Sequence, residues 1–118
     1  IRLRDRIRER LAPAEVHGRF RTLLRQLRRN DLLLSHGQTW IAQLCASDDT
    51  RRAVGVVQEC REIDPRFLPD DPANTALLAK TAARIGMHEL AWQLANGFVQ
   101  RWPGHEAEPA LKLLAAPR

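Results

Sequence analysis

Tyrosine is absent from this 118-residue chain, and three tryptophans and three phenylalanines are its only aromatic residues. So few rings leave little for a base-stacking platform, which argues against sequence-specific nucleic-acid reading. Cysteine is as scarce. Cys45 and Cys60 make no disulfide framework and match no zinc pattern of close pairs, which predicts two apolar, buried thiols in a reducing compartment. No apolar run comes near the roughly 18 residues of a membrane span, and no charged start followed by an apolar stretch marks a signal peptide. The chain as given therefore reads as soluble and cytoplasmic.

Catalytic signatures are missing too. Two His-Glu pairs invite the zinc-protease test, but HELAW puts Trp92 where the second histidine ligand belongs, and HEAEP puts Pro109 there. There is no glycine-rich phosphate loop. The cysteines have no base beside them in sequence, and His17, His36, His88 and His105 are scattered. These features predict a non-enzymatic protein with no metal and no cofactor.

What the chain has in excess is arginine: all but Lys80 and Lys112 of its nineteen basic residues. Residues 1–30 hold ten arginines against Asp5, Glu9 and Glu15, a net +7, whereas the remainder holds nine bases against eleven acids, a net −2. Basicity thus belongs to the start of the chain. There, in IRLRDRIRERL, a helix aligns Leu3, Ile7 and Leu11 one turn apart and sends Asp5 and Glu9 to the far face. Arg2, Arg4, Arg6, Arg8 and Arg10 complete the segment. An apolar stripe among arginines suits an anionic membrane surface, and equally suits packing on a neighbouring helix. Because the chain starts at Ile1 without a methionine, we expect a piece of a longer polypeptide. In that case this segment would be a linker beside a membrane-spanning part, on its cytoplasmic side. Binding of phosphates by the same arginines is the weaker alternative.

Apolar stripes at helical spacing continue along the chain. Val16, Phe20, Leu23, Leu24 and Leu27 predict a helix over about 14–29, and Trp40, Ile41 and Leu44 one that ends near Ala46. Asp48 or Asp49 is placed to cap the next, with Ala53, Val56, Val57, Cys60 and Ile63 on one face and Pro65 beyond its end. Asp71 followed by Pro72 is a strong helix start, and Gly86 a C′ glycine that closes the same helix. Leu90, Ala91, Leu94, Ala95, Phe98 and Val99 mark another helix, stopped by Pro103. Leu111, Leu113 and Leu114 mark a short last one that closes the core. No strand signal is present.

A shift of 38 residues lays the third and fourth helices on the fifth and sixth: Trp40 over Leu78, Cys45 over Ala83, Ala53 over Ala91, Val56 over Leu94, Cys60 over Phe98 and Pro65 over Pro103. Alanine suits a point where two helices cross closely, and proline stops the second helix of each pair. The pattern resembles the tetratricopeptide repeat, an antiparallel helix pair. The resemblance covers about residues 34–104, with departures at Gly37 and Thr75, Ile41 and Ala79, and Val57 and Ala95. It implies an all-α fold of about two helix-hairpin repeats, 31–66 and 71–104, after arginine-rich helices at 1–30 and before a capping segment at 105–118. Such domains hold a peptide or a partner's helix in a groove lined by the first helix of each pair. By register the groove would present Ser35, Gln38, Ala42, Cys45 and Ala46, then Ala76, Lys80, Ala83 and Arg84, with Lys80 and Arg84 placed to hold a carboxylate. A protein or peptide partner is expected; self-association is left open.

Overall fold

Short acids, prolines and left-handed turns set the helix ends. The computed structural model describes residues 13–115, and among them six α-helices and no strand: α1 (Pro13–Gln26), α2 (Asn30–Ala46), α3 (Thr50–Ile63), α4 (Pro72–Arg84), α5 (His88–Arg101) and α6 (Glu108–Leu114). The helix expected over IRLRDRIRERL lies outside the described residues. Asp71 caps α4 as its sequence predicts, its Oδ1 accepting from Ala73 N at 2.8 Å and Asn74 N at 3.3 Å. Asp49 takes the cap position of α3 but makes no such bond. Its backbone, at φ −98° and ψ 61°, is not extended, and its Oδ2 lies 3.5 Å from Arg52 Nε.

Three helices end alike. Arg29 N, Asp49 N and Met87 N reach back to the carbonyls of Leu24, Leu44 and Ala82, closing Schellman turns. The residue inside each turn is left-handed, with φ of 54° at Arg28, 63° at Asp48 and 89° at Gly86. Only the last is the glycine that this geometry favours.

The chain divides into two units between His36 and Gly37, inside α2. In the first, Arg21, Leu24 and Leu33 are buried, whereas Val16, Phe20, Leu23 and Leu27 are 47%, 46%, 49% and 60% exposed. The α1 stripe expected to be core is therefore largely solvent-facing. Helical periodicity correctly gives α1 an apolar face, but it does not supply a partner for that face.

In the second unit, consecutive helices pack as antiparallel neighbours, α3 on α4, α4 on α5 and α5 on α6, with α6 also reaching α4. Residues matched by the 38-residue shift share their environment. Ala53 and Ala91 are buried, as are Trp40 and Leu78, Val56 and Leu94, and Cys60 and Phe98; Cys45 and Ala83 are both half-buried, and Pro65 and Pro103 are both exposed. The α3–α4 connection is anchored inward by Phe67, Leu68 and Pro69. Gln38 holds it, donating from Nε2 to the Leu68 carbonyl at 2.7 Å and accepting at Oε1 from Asp70 N at 3.0 Å. Of the three C-terminal leucines only Leu111 is buried; Leu113 is 80% exposed.

Candidate functional site

Two clefts lie beside the second helix of each pair. Arg61, in the last turn of α3, is half-buried; its Nε donates to Gln93 Oε1 on α5 at 3.2 Å and its Nη1 to the Phe67 carbonyl. Burial pulls this guanidinium below its ordinary value while the charge of Asp64 opposes the shift. Gln93 donates in turn to Glu89 Oε1 at 3.1 Å. Arg61 and Gln93 thereby form a fixed bridge between α3 and α5.

A cleft opens on each side of that bridge, and both residues line both. Towards the start of α5 it is about 600 Å³ and carries Gln58, Glu62, Met87, His88 and Glu89. Towards the end of α5 it is about 470 Å³ and carries Arg66, Trp92, Asn96, Gln100 and Arg101. Gly97 lets α5 approach the connection there, since a Cβ would come within 2.8 Å of Leu68 Cδ1. Trp92 is 37% exposed, its Nε1 donating to the Ala115 carbonyl at 3.1 Å. Arg101 lies 4.9 Å from the Trp102 ring centre and 3.7 Å from Asp70 Oδ1. Among the described residues, the side chains of Arg66, Asn96 and Gln100 make no hydrogen bond.

Two of the residues expected to form a groove share a cleft. Gln38 and Ala42 line a smaller cleft of about 230 Å³ between α2 and α4, together with Pro69, Asp71 and Asn74. Gln38 is already engaged with the connection. Ser35, Lys80 and Arg84 are exposed, and Cys45 and Ala83 half-buried; none of them lines that cleft. Burial, and then the charge of Asp71, push the Cys45 thiol up, and Cys45 and Cys60 are not joined in a disulfide. Arg2, Arg4, Arg6, Arg8 and Arg10 lie outside the described residues.

Sequence reasoning missed Arg21. It is only 1% exposed, and its Nη1 donates to the Leu33 carbonyl at 2.7 Å and towards His36 Nδ1 at 3.2 Å. His36 Nε2 lies 2.8 Å from His17 Nδ1. Since Arg21 can only donate, His36 Nδ1 accepts, so His36 is neutral and its Nε2–H donates to His17. Burial first, then the charges of Arg21 and His17, push His36 down to about 4. The apolar stripe does not mark Arg21, which lies one turn before Leu24, beside the edge of that stripe rather than in it.

Among the described residues no group of three or more His, Cys, Asp or Glu could hold a metal ion, and no helix is long and apolar enough to cross a membrane. No protein-family model, curated protein or solved structure matches this chain.

Proposed function

We propose that this chain is a non-enzymatic interaction module, a tetratricopeptide-like pair of helix hairpins that holds a segment of a partner protein. The groove along α3 and α5 carries the reading. It joins two clefts across the Arg61–Gln93 hydrogen bond and offers unengaged guanidinium and amide donors beside a half-exposed tryptophan. Tryptophan and arginine are the side chains that most often dominate binding energy at protein interfaces, because they bury much area and donate directionally. The helical-repeat reading is supported by the shared burial of Ala53 with Ala91 and of Cys60 with Phe98. The proposed groove is on the second helices, whereas the family resemblance implies the first.

Selection of dodecapeptides from a random library on the whole chain tests this, with Gln100→Trp as the control. Gln100 is exposed, and an indole there fills the cleft without entering the core. Enriched peptides should lose at least tenfold in affinity for Gln100→Trp. Peptides that bind both forms equally place the site elsewhere, and a library that yields none ends the proposal.

A further inference from the structure

We infer that the α3–α5 groove takes an acidic peptide segment, its carboxylates held at the Arg66 and Arg101 end; this rests on the groove being the peptide site. The cleft of about 470 Å³ brings together three guanidiniums, Arg61, Arg66 and Arg101, and no carboxylate is among its lining residues. Asp64 acts on Arg61 by its charge, and Arg101 pairs with Asp70, but that pair is long at 3.7 Å and both of its side chains are exposed. Exposed pairs of this kind are worth little and exchange readily. Arg66 has no side-chain partner among the described residues. A guanidinium binds a carboxylate through two parallel N–H donors, so Arg66 and Arg101 can each donate to one acidic side chain.

The other half of the groove has the opposite character. Beyond the Arg61–Gln93 bridge, Glu62 and Glu89 line the adjoining cleft. The groove is therefore polar along its length, basic towards the end of α5 and acidic towards its start. A 14-residue helix such as α5 is about 20 Å long, room for an extended segment of about six residues. Two carboxylates near one end of such a segment, and a neutral or basic residue near the other, match that order. A nucleic-acid strand fits less well. Its evenly charged backbone would run from the arginines onto Glu62 and Glu89, and Trp92 and the His88 imidazole, one in each cleft, are the only aromatic rings among the lining residues.

The test uses the whole chain and the dodecapeptides selected on it, labelled with fluorescein and followed by anisotropy. The selected sequences should contain two or more Asp or Glu within four residues. Replacing those residues by Asn or Gln should weaken binding at least tenfold, as should the double variant Arg66→Glu, Arg101→Glu, whose helical circular dichroism should match the parent. Glu62→Gln should leave affinity within about twofold. Peptides that are lost on Gln100→Trp yet indifferent to both charge changes would overturn the acidic preference while leaving the peptide site standing. A ten-nucleotide oligothymidylate that binds as tightly as the peptides and competes with them would assign the cleft to phosphate instead and overturn the inference.

Discussion

The two units of this chain use similar amphipathic helices to opposite effect. In residues 37–115 the apolar faces of α3, α4 and α5 meet one another, and Val57, Leu78, Leu94 and Phe98 are fully enclosed. In residues 13–36 the same periodicity leaves Val16, Phe20, Leu23 and Leu27 facing water, and the largest enclosed side chain is Arg21, buried as fully as Leu33. An apolar stripe states what a helix can bury, and only neighbouring elements decide whether it does. The second unit encloses mainly apolar side chains, whereas the first encloses Arg21 beside Leu24 and Leu33, in a hydrogen-bonded chain from the Leu33 carbonyl through Arg21 and His36 to His17.

The largest expected difference is between two phenylalanines. Phe98 is enclosed, with Trp102 and His105 against its ring at 5.3 Å, and Phe98→Ala should cost about 3–5 kcal/mol. Phe20 is half in water and touches the His36 ring at 5.0 Å, so Phe20→Ala should cost less than about 1 kcal/mol. Urea unfolding of both variants measures the contrast. Equal losses would mean that the α1 stripe is covered after all.

Acid should act on the first unit through His36. Its ordinary value is 6.5 and its folded value about 4, so below pH 6.5 the unfolded chain takes up a proton that the folded ring refuses. This contribution to stability is intact above pH 6.5 and is lost as pH falls towards 4. Urea midpoints across that window should drop, and His36→Gln, which cannot titrate, should flatten the drop. A profile unchanged by His36→Gln would detach the histidine chain from the stability of the unit.

Much of the fold was legible because helix ends are local chemistry. Asp71 with Pro72, Gly86, Pro65 and Pro103 mark their boundaries without reference to the rest of the chain, and α3 ends, and α4 and α5 begin and end, within about two residues of those marks. Burial was legible only where stripes face one another, as with Ala53 and Ala91. Arg21 was not, because arginine normally reads as surface, and a buried one is specified by a carbonyl twelve residues away. The cleft was the least visible part. Arg61 and Arg66 stand far from Arg101 in sequence, among many other arginines, and the 38-residue repeat pairs none of them with another. Gln38 illustrates the reverse case: it lies at the expected groove position, yet its amide is spent on Leu68 and Asp70.

The smallest effect sharpens the same comparison at the level of one turn. α1 and α4 end in the same Schellman geometry, but the left-handed residue is Arg28 in the first unit and Gly86 in the second. A side chain in that conformation costs about 1–2 kcal/mol, and a glycine returns about 0.5–1 of this through its looser unfolded state. Arg28 is exposed and its side chain makes no hydrogen bond or ion pair among the described residues, so Arg28→Gly changes little besides the backbone. It should stabilise by about 0.5–1 kcal/mol. Gly86→Ala is the mirror experiment. A Cβ there meets nothing within 4 Å, so the loss, about 1 kcal/mol, would be conformational alone. Opposite shifts of similar size in the urea midpoint would show that both turns matter equally to folding. A loss at Gly86 with no gain at Arg28 would mean that the end of α1 frays in the native state and carries no strain to relieve.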